Sequence, residues 1–277
     1  MLTWVSAAVA VVGLLAKKKR TPTPTPDPLP TDFPGVDLGG PGFDASSAGF
    51  PVQFIVIFVI GLTVVGAIFY RNHQQRKARI AAFRALALRY QLTYTEDDVY
   101  GLLGMPFPLF DRGDGRGIEN VLRGVVEGVH MDVFDYWYYE ESTDTKGNTS
   151  RSYSRFDCVI ASYDAEGAVL NIEEESFLTR LADAVALDDL RFESDEFNRA
   201  FNVTSPDKRF ATSFIDARMM QWLLTNGRGY GFEIVGDRIL VACDKVAPEE
   251  LPVLMGRATG LIRQIPPVVR SLFPKSG

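Results

Sequence analysis

Hydrophobic and polar positions divide the chain into distinct regimes. From Val52 to Tyr70 (VQFIVIFVIGLTVVGAIFY) apolar residues run without a charge, and only Gln53 and Thr63 carry polar side chains. At ~1.5 Å per residue this stretch reaches nearly the ~30 Å of a hydrocarbon core, which predicts a transmembrane helix over residues 52–70. Residues 71–90 contain no Gly or Pro, and Ile80, Phe83, Leu86 and Tyr90 recur at helical spacing. That pattern predicts a juxtamembrane helix continuing the span as a stem. From Gln91 the period shortens towards two.

Residues 91–277 are predicted to form an α+β domain with antiparallel strands and packed helices. QLTYTEDD reads as a short strand, GLLGMPFPLFDRGDGRG as a loop, and IENVLRGVVEG and VHMDVFDYWYYEE as strands with Gly128 near their turn. RSYSRFDCVIASYD follows the polar loop STDTKGNTS, and AVLNIEE follows that. Successive strands with short links predict an antiparallel meander, with residues 129–140 paired to 151–163. Helical spacing then returns. Glu173–Glu175 suit a helix N-terminus, with Phe177, Leu178, Leu181, Ala184 and Val185 on one face. Ser205-Pro206 is expected to open a helix through Phe210 and Phe214. Met219, Met220, Leu223 and Leu224 line another helix, closed by Asn226-Gly227. GYGFEIVGDRILVACD predicts a second hairpin with Gly236-Asp237 at its tip, and residues 248–265 a last helix stopped by Pro266-Pro267.

Residues 1–20 open with a short apolar run, Met1–Ala16, and end in KKKR. A signal peptide carries its charge before the apolar run, so a second membrane segment or an interfacial helix is expected here rather than a cleaved leader. Residues 21–51 start TPTPTPDPLP; repeated Pro fixes φ and removes backbone donors, which predicts an extended linker.

Charge refines this layout. The linker carries four Asp and no base, whereas residues 71–90 carry Arg71, Arg76, Lys77, Arg79, Arg84 and Arg89 and no acid. Positive residues collect on the cytoplasmic side of a span, so the plasma membrane is the expected location and the C-terminal part is expected inside. The KKKR cluster conflicts with that orientation if Met1–Ala16 also crosses. All but four of the 35 acids and all but ten of the 29 bases lie in residues 91–277, a net charge of −12 there. Such a surplus of acid argues against nucleic-acid binding, which needs Lys and Arg in excess.

NVLRG at Asn120–Gly124, FDYWYY at Phe134–Tyr139, SRF at Ser154–Phe156, ESDEFNRAFNV at Glu193–Val203 and ARMM at Ala217–Met220 resemble a group of bacterial, chiefly actinobacterial, membrane-anchored proteins. The resemblance covers roughly residues 52–270. It implies one N-terminal span, a basic stem and a cytoplasmic domain, and carries over no activity. The N-terminal apolar segment and Pro/Thr linker depart from that single-span layout.

Motifs that bear chemistry are sparse. RGDGRG at Arg112–Gly117 lacks the Lys and Ser/Thr of a phosphate loop and is read as a tight turn. Two histidines, His73 and His130, cannot build a His-rich metal site, and neither a metal nor a cofactor is expected. Cys158 and Cys243 are read as buried apolar thiols. An acid-based site around Asp135, Glu140, Asp157 and Arg155 would suit a membrane-bound hydrolase. The stretch FDYWYYEES has binding character: alternation sends Phe134, Tyr136 and Tyr138 to one face and Asp135, Trp137 and Tyr139 to the other. Either both faces are core or one is offered to a partner, with Tyr136, Trp137, Tyr138, Tyr139, Glu140 and Arg155 the candidate surface. The leading expectation is a membrane-tethered, non-catalytic interaction or regulatory module whose partners are the lipid bilayer and a protein in or near it. The hydrolase and a small-ligand or lipid sensor stand as alternatives.

Overall fold

The computed structural model describes residues 52–174 and 189–275. The expected N-terminal segment, the linker and the helix over Phe177–Val185 lie outside the described residues. Two compact units divide the chain, residues 1–75 and 76–277. A single helix, α1 (Val52–Tyr90), supplies the described part of the first unit and the opening of the second.

In the first unit the helix presents apolar side chains on all sides. Val56 through Tyr70 include Ile57, Phe58, Val59, Ile60, Leu62 and Phe69, all exposed. Its threonine hydroxyl is satisfied internally, because Thr63 Oγ1 donates to the Val59 carbonyl at 2.8 Å.

The second unit is built on a six-stranded antiparallel sheet. Its strands are β1 (Thr93–Asp97), β2 (Gly115–Val126), β3 (Val129–Thr143), β4 (Thr149–Glu174), β5 (Phe201–Thr204) and β6 (Tyr230–Asp244). β1 to β4 form an antiparallel meander, in which β3 pairs with β4 as expected. The β2–β3 turn is two residues, Glu127 and Gly128, both at positive φ (52° and 80°), which matches the right-handed twist of a hairpin. β3 and β4 pair from Met131↔Ala161 to Thr143↔Thr149, so the polar loop shrinks to residues 144–148. Asp144 closes it by accepting from the amides of Lys146 and Asn148, each at 2.8 Å. β6 runs along one edge of β4, and β3 and β5 share the other.

Two sequence expectations are corrected here. The segments 151–164 and 168–174 are one 26-residue strand, β4. Residues 230–244 are one strand rather than a hairpin, since β6 pairs with β4 over its whole length. Gly167 and Gly236 face each other where the register shifts on both sides. They mark a shared bend in two long strands, which a glycine pattern alone cannot tell from a turn. The Gly167 site is filled from above: an added Cβ would stand 2.0 Å from the Phe210 ring.

Helices α2 (Asp195–Ala200), α3 (Lys208–Phe214), α4 (Ala217–Asn226), α5 (Leu251–Gln264) and α6 (Pro267–Leu272) complete the unit. α3 is capped by Asp207, which accepts from Phe210 N at 3.0 Å. Ser205 is not the cap, because its hydroxyl donates to the Val169 carbonyl at 2.7 Å. α4 ends at Gly227 as expected. Pro266-Pro267 stops α5 but also starts α6, since a Pro at the first helical position loses no hydrogen bond.

The sheet buries a core on each face. One contains Phe83, Val133, Val159, Met219 and Leu254, contributed by the stem and the helices. The other contains Phe110, Phe134, Tyr136, Tyr138, Phe156 and Leu240, covered by the loop that carries Leu102, Phe107 and Leu109. Cys158 lies in the second core and Cys243 in the first, both as free thiols, so the sheet itself keeps them apart. The stem runs antiparallel to β1. Leu92 N donates to the Ala87 carbonyl at 2.8 Å, Arg84 lies over the Tyr94 ring, and Arg76 reaches Glu96 at 3.5 Å. Arg76 therefore sits at the end of the sheet where Asp97 pairs Glu119 and Glu119 pairs Asp135.

Candidate functional site

On the helix-covered face the sheet changes character along β3 and β4. Val133 and Val159 face each other in the core, then Asp135 faces Asp157, Trp137 faces Arg155, and Tyr139 faces Tyr153. The aspartates are neighbours on adjacent strands, where burying two like charges is costly without a cation. Arg79 supplies it from the stem, one helical turn before Phe83. Its Nε and Nη2 donate to Asp135 Oδ2 and Oδ1, both at 2.7 Å, and Nη2 also donates to Asp157 Oδ1. Nη1 donates to the Val246 carbonyl at 2.8 Å. The guanidinium side chain is 12% exposed, Asp135 6% and Asp157 0%.

Other groups complete the cluster. Val246 N donates to Asp157 Oδ2 at 2.8 Å, Lys245 Nζ to Asp135 Oδ2 at 3.3 Å, and Asn120 Nδ2 to the same oxygen at 3.0 Å. Asn120 reaches it from a bulge in β2, with φ at 55°, and accepts from the Tyr94 hydroxyl at 2.8 Å. A bulge re-aims a side chain that regular pairing would send elsewhere. Burial pushes the Asp157 carboxyl up to about 7, with the Arg79 charge opposing and the Asp135 charge reinforcing the rise. Burial also acts to raise Asp135, but the Arg79 hydrogen bonds and charge and the Lys245 charge outweigh it and hold that carboxyl low.

Chemically this is a closed clasp. Every carboxylate oxygen has a donor, and Asp157 is sealed from solvent. The thiol opposite it on β6, Cys243, is buried, and burial pushes it up to about 12, so it rests as the un-ionised thiol. Of the expected acid-based site, Asp135 and Asp157 come together. Arg155 is exposed two residues further along β4, and Glu140 is exposed in the alternation that belongs to Tyr136 and Tyr138. The arginine that joins the acids is Arg79, which sequence reasoning took for a topology marker.

Beyond the clasp the same face becomes aromatic. Trp137 and Tyr139 stack with an interplanar angle of 13°, and the Tyr153 ring lies 6.1 Å from Trp137 and 5.4 Å from Tyr139. Tyr153 is 51% exposed, and Trp137 and Tyr139 are half-buried. Their inner sides rest on glycine: an added Cβ at Gly117 would stand 2.7 Å from the Trp137 ring, and one at Gly115 2.4 Å from the Tyr139 ring. The RGDGRG segment is thus half turn, at Arg112–Asp114, and half strand, at Gly115–Gly117. Gly113 alone keeps the positive φ of a turn (73°), while Gly115 and Gly117 are flat seats for rings. Arg151 caps the band, its guanidinium 4.6 Å over Tyr139 and 2.7 Å from Glu141.

The candidate partner surface therefore divides. Tyr136 and Tyr138 are core, at 1% and 2% exposure, and the Tyr136 hydroxyl donates to the Leu109 carbonyl at 2.9 Å. Trp137, Tyr139 and Arg155 share the open face, and Tyr153, which the sequence reading omitted, belongs with them. Two further polar features were not foreseen. Glu233, buried under Leu109, accepts from its amide at 3.1 Å, and burial pushes its carboxyl up to about 8. A cleft of about 450 Å³ is lined by Arg123, His130, Asp132, Ser162, Arg238 and Lys275 among others. Two of its bases are already paired, Arg123 with Asp132 and Lys275 with Asp237. Among the described residues no group of three or more His, Cys, Asp or Glu is placed to hold a metal ion.

The sequence matches no family model and no curated protein. Among solved structures the chain is similar to the mycobacterial trehalose monomycolate transport factor A, TtfA, with a TM-score of 0.46 and 14% identity over 68% of this chain and 97% of that one.

Proposed function

We propose that this chain is a membrane-tethered, non-catalytic interaction or regulatory module, in the manner of the actinobacterial membrane-anchored group its motifs resemble. Its α+β unit is held in the cytoplasm by the span Val52–Tyr70. The observation that carries the reading is α1 itself. One continuous helix has an uncovered apolar half and a basic half whose Arg79 is fastened into the sheet by two buried acids. None of its most apolar stretch is buried. A contiguous apolar surface of that size is disfavoured in water and matches a hydrocarbon core. Fastening the stem by a charged clasp makes the tether part of the fold, as expected for a unit whose task depends on its place at the membrane.

The hydrolase alternative rests on the Asp135–Asp157 pair. What weighs against it is that the carboxylate oxygens are already engaged and that Glu140 and Arg155 lie apart from them. Photo-crosslinking from Tyr153 in native membranes, followed by mass spectrometry, tests the module reading. Recurrent adducts to one membrane protein or to lipid are expected. A chain recovered in the soluble fraction without detergent, or one that turns over an ester or phosphate substrate and loses that activity in Asp135→Asn, would overturn it.

A further inference from the structure

The β3–β4 hairpin ends in an open aromatic band followed by a polar tip. Trp137, Tyr139 and Tyr153 form the band, and every residue from Glu140 to Tyr153 is exposed. We propose that this band seats on the headgroup region of the phospholipid bilayer that α1 crosses. The inference rests on the membrane reading of Val52–Tyr70 given above.

Three observations point to lipid. First, composition: Trp and Tyr with flanking Arg is the set favoured at a membrane–water interface, where an aromatic body meets hydrocarbon and a polar edge meets headgroups. The rings lie flat on Gly115 and Gly117, so they present faces and edges outward instead of packing downward. Second, reach: counting back from Arg79, nine residues of helix lead to Tyr70, about 13 Å of chain whatever direction it takes. Trp137 and Tyr139 stand two and four residues beyond Asp135, about 7 and 13 Å along the strand. The path along helix and strand from Tyr70 to the band is therefore short, and Arg76 on Glu96 shows that stem and band share one end of the sheet. Third, charge: residues 91–277 are strongly acidic, yet residues 140–155 balance Glu140, Glu141 and Asp144 against Lys146, Arg151 and Arg155. An acidic surface is repelled by an anionic leaflet, and this neutral hairpin escapes that repulsion. The tip from Glu140 to Arg151 carries no apolar residue besides its threonines, which limits contact to the headgroup level.

The test uses the full chain with Trp4→Phe and Trp222→Phe, leaving Trp137 as the one indole, reconstituted in nanodiscs. Lipids brominated near the headgroup should strongly quench Trp137 emission, and lipids brominated near the chain end should quench it less. The loss should be the same in zwitterionic and anionic discs. Adding Tyr139→Ser and Tyr153→Ser should relieve the quenching. A parallel reporter, Trp137→Phe with Ile57→Trp, reads the span separately. Quenching of the Ile57→Trp reporter without quenching of Trp137 overturns the docking and leaves the anchor standing, with a protein partner as the occupant of the band. Quenching of neither overturns both.

Discussion

Arg79 meets Asp135 through two parallel hydrogen bonds of 2.7 Å while its Nη2 is shared with Asp157. A guanidinium held by two carboxylates on neighbouring strands fixes the rotation of the stem as well as its position. Arg79→Leu leaves both acids buried without their principal cation, and is expected to destabilise the folded unit by about 3–5 kcal/mol. Denaturant unfolding of the detergent-solubilised chain measures this. Arg79→Lys keeps the charge but not the fork, and should fall between the two. Combining Arg79→Leu with Asp135→Asn and Asp157→Asn should recover part of the loss. A triple variant no more stable than Arg79→Leu would show that the arginine acts through packing on Phe83, whose ring lies 5.3 Å from it.

The buried carboxyls set a pH dependence with a definite sign. Asp157 is pushed up to about 7 and Glu233 up to about 8, both above the ~4 expected of an unfolded chain. A raised folded-state value means the native form holds protons that the unfolded form has released. The stability from these groups is therefore full below about pH 4 and is lost as pH rises through 7 and 8. Asp135, held low, acts oppositely and only under acid conditions. The melting temperature should decline between pH 5 and 8.5. Asp157→Asn should flatten the lower part of that decline and Glu233→Gln the upper part. A wild-type profile that rises across the same range would refute the assignment of protons to these two groups.

Truncations along β3 should alternate in cost. Tyr136→Ala empties a buried site and breaks a hydrogen bond to the Leu109 carbonyl, for a loss of about 3–5 kcal/mol. Trp137→Ala removes a half-buried ring lying on glycine, for a loss of about 1–2 kcal/mol. The supporting glycines should separate likewise. Gly117→Ala pushes only on the edge of the Trp137 indole, so it should shift that residue's fluorescence with a small change in melting temperature. Gly113→Ala combines φ of 73° with a Cβ 2.7 Å from the Tyr139 carbonyl oxygen and should cost more. Equal losses at Tyr136 and Trp137 would mean the band is packed like core.

What the sequence disclosed follows from which signals are local. Strand-like composition exposed β2, β3 and a turn near Gly128, and the stem's spacing put Phe83 and Leu86 on the buried face. The same stripe contained the clue to Arg79, a charge one turn before Phe83 on an otherwise apolar line, but basic residues after a span invite an electrostatic reading first. Period two separated Tyr136 from Trp137 without saying which side would be covered, because the cover comes from the distant loop at Leu102–Phe110. Gly115 and Gly117, spaced by two like the rings they seat, carried that information. Gly167 and Gly236 suggested turns because a bend shared by two strands is visible only once both strands are paired.

Orientation can be tested with the clasp left intact. The bases after Tyr70 do different work: Arg79 is buried in the clasp, Arg84 and Arg89 lie over Tyr94 and Tyr90, and Arg76 contacts Glu96. Arg71 and Lys77 are exposed, as is Arg76, and under the proposed topology these three are the charges that would hold the stem on the cytoplasmic side. A C-terminal fluorescent-protein fusion should therefore mature and shine, and a C-terminal alkaline-phosphatase fusion should stay inactive. Changing Arg71, Arg76 and Lys77 together to Gln should give a mixed population, with signal from both reporters, while the unfolding midpoint of the correctly oriented fraction stays near the parent's because Arg79 is untouched. An active phosphatase fusion on the parent chain would invert the assigned topology. Uniform orientation in the triple variant would shift the determinant to residues upstream of Val52, where KKKR is the remaining basic cluster.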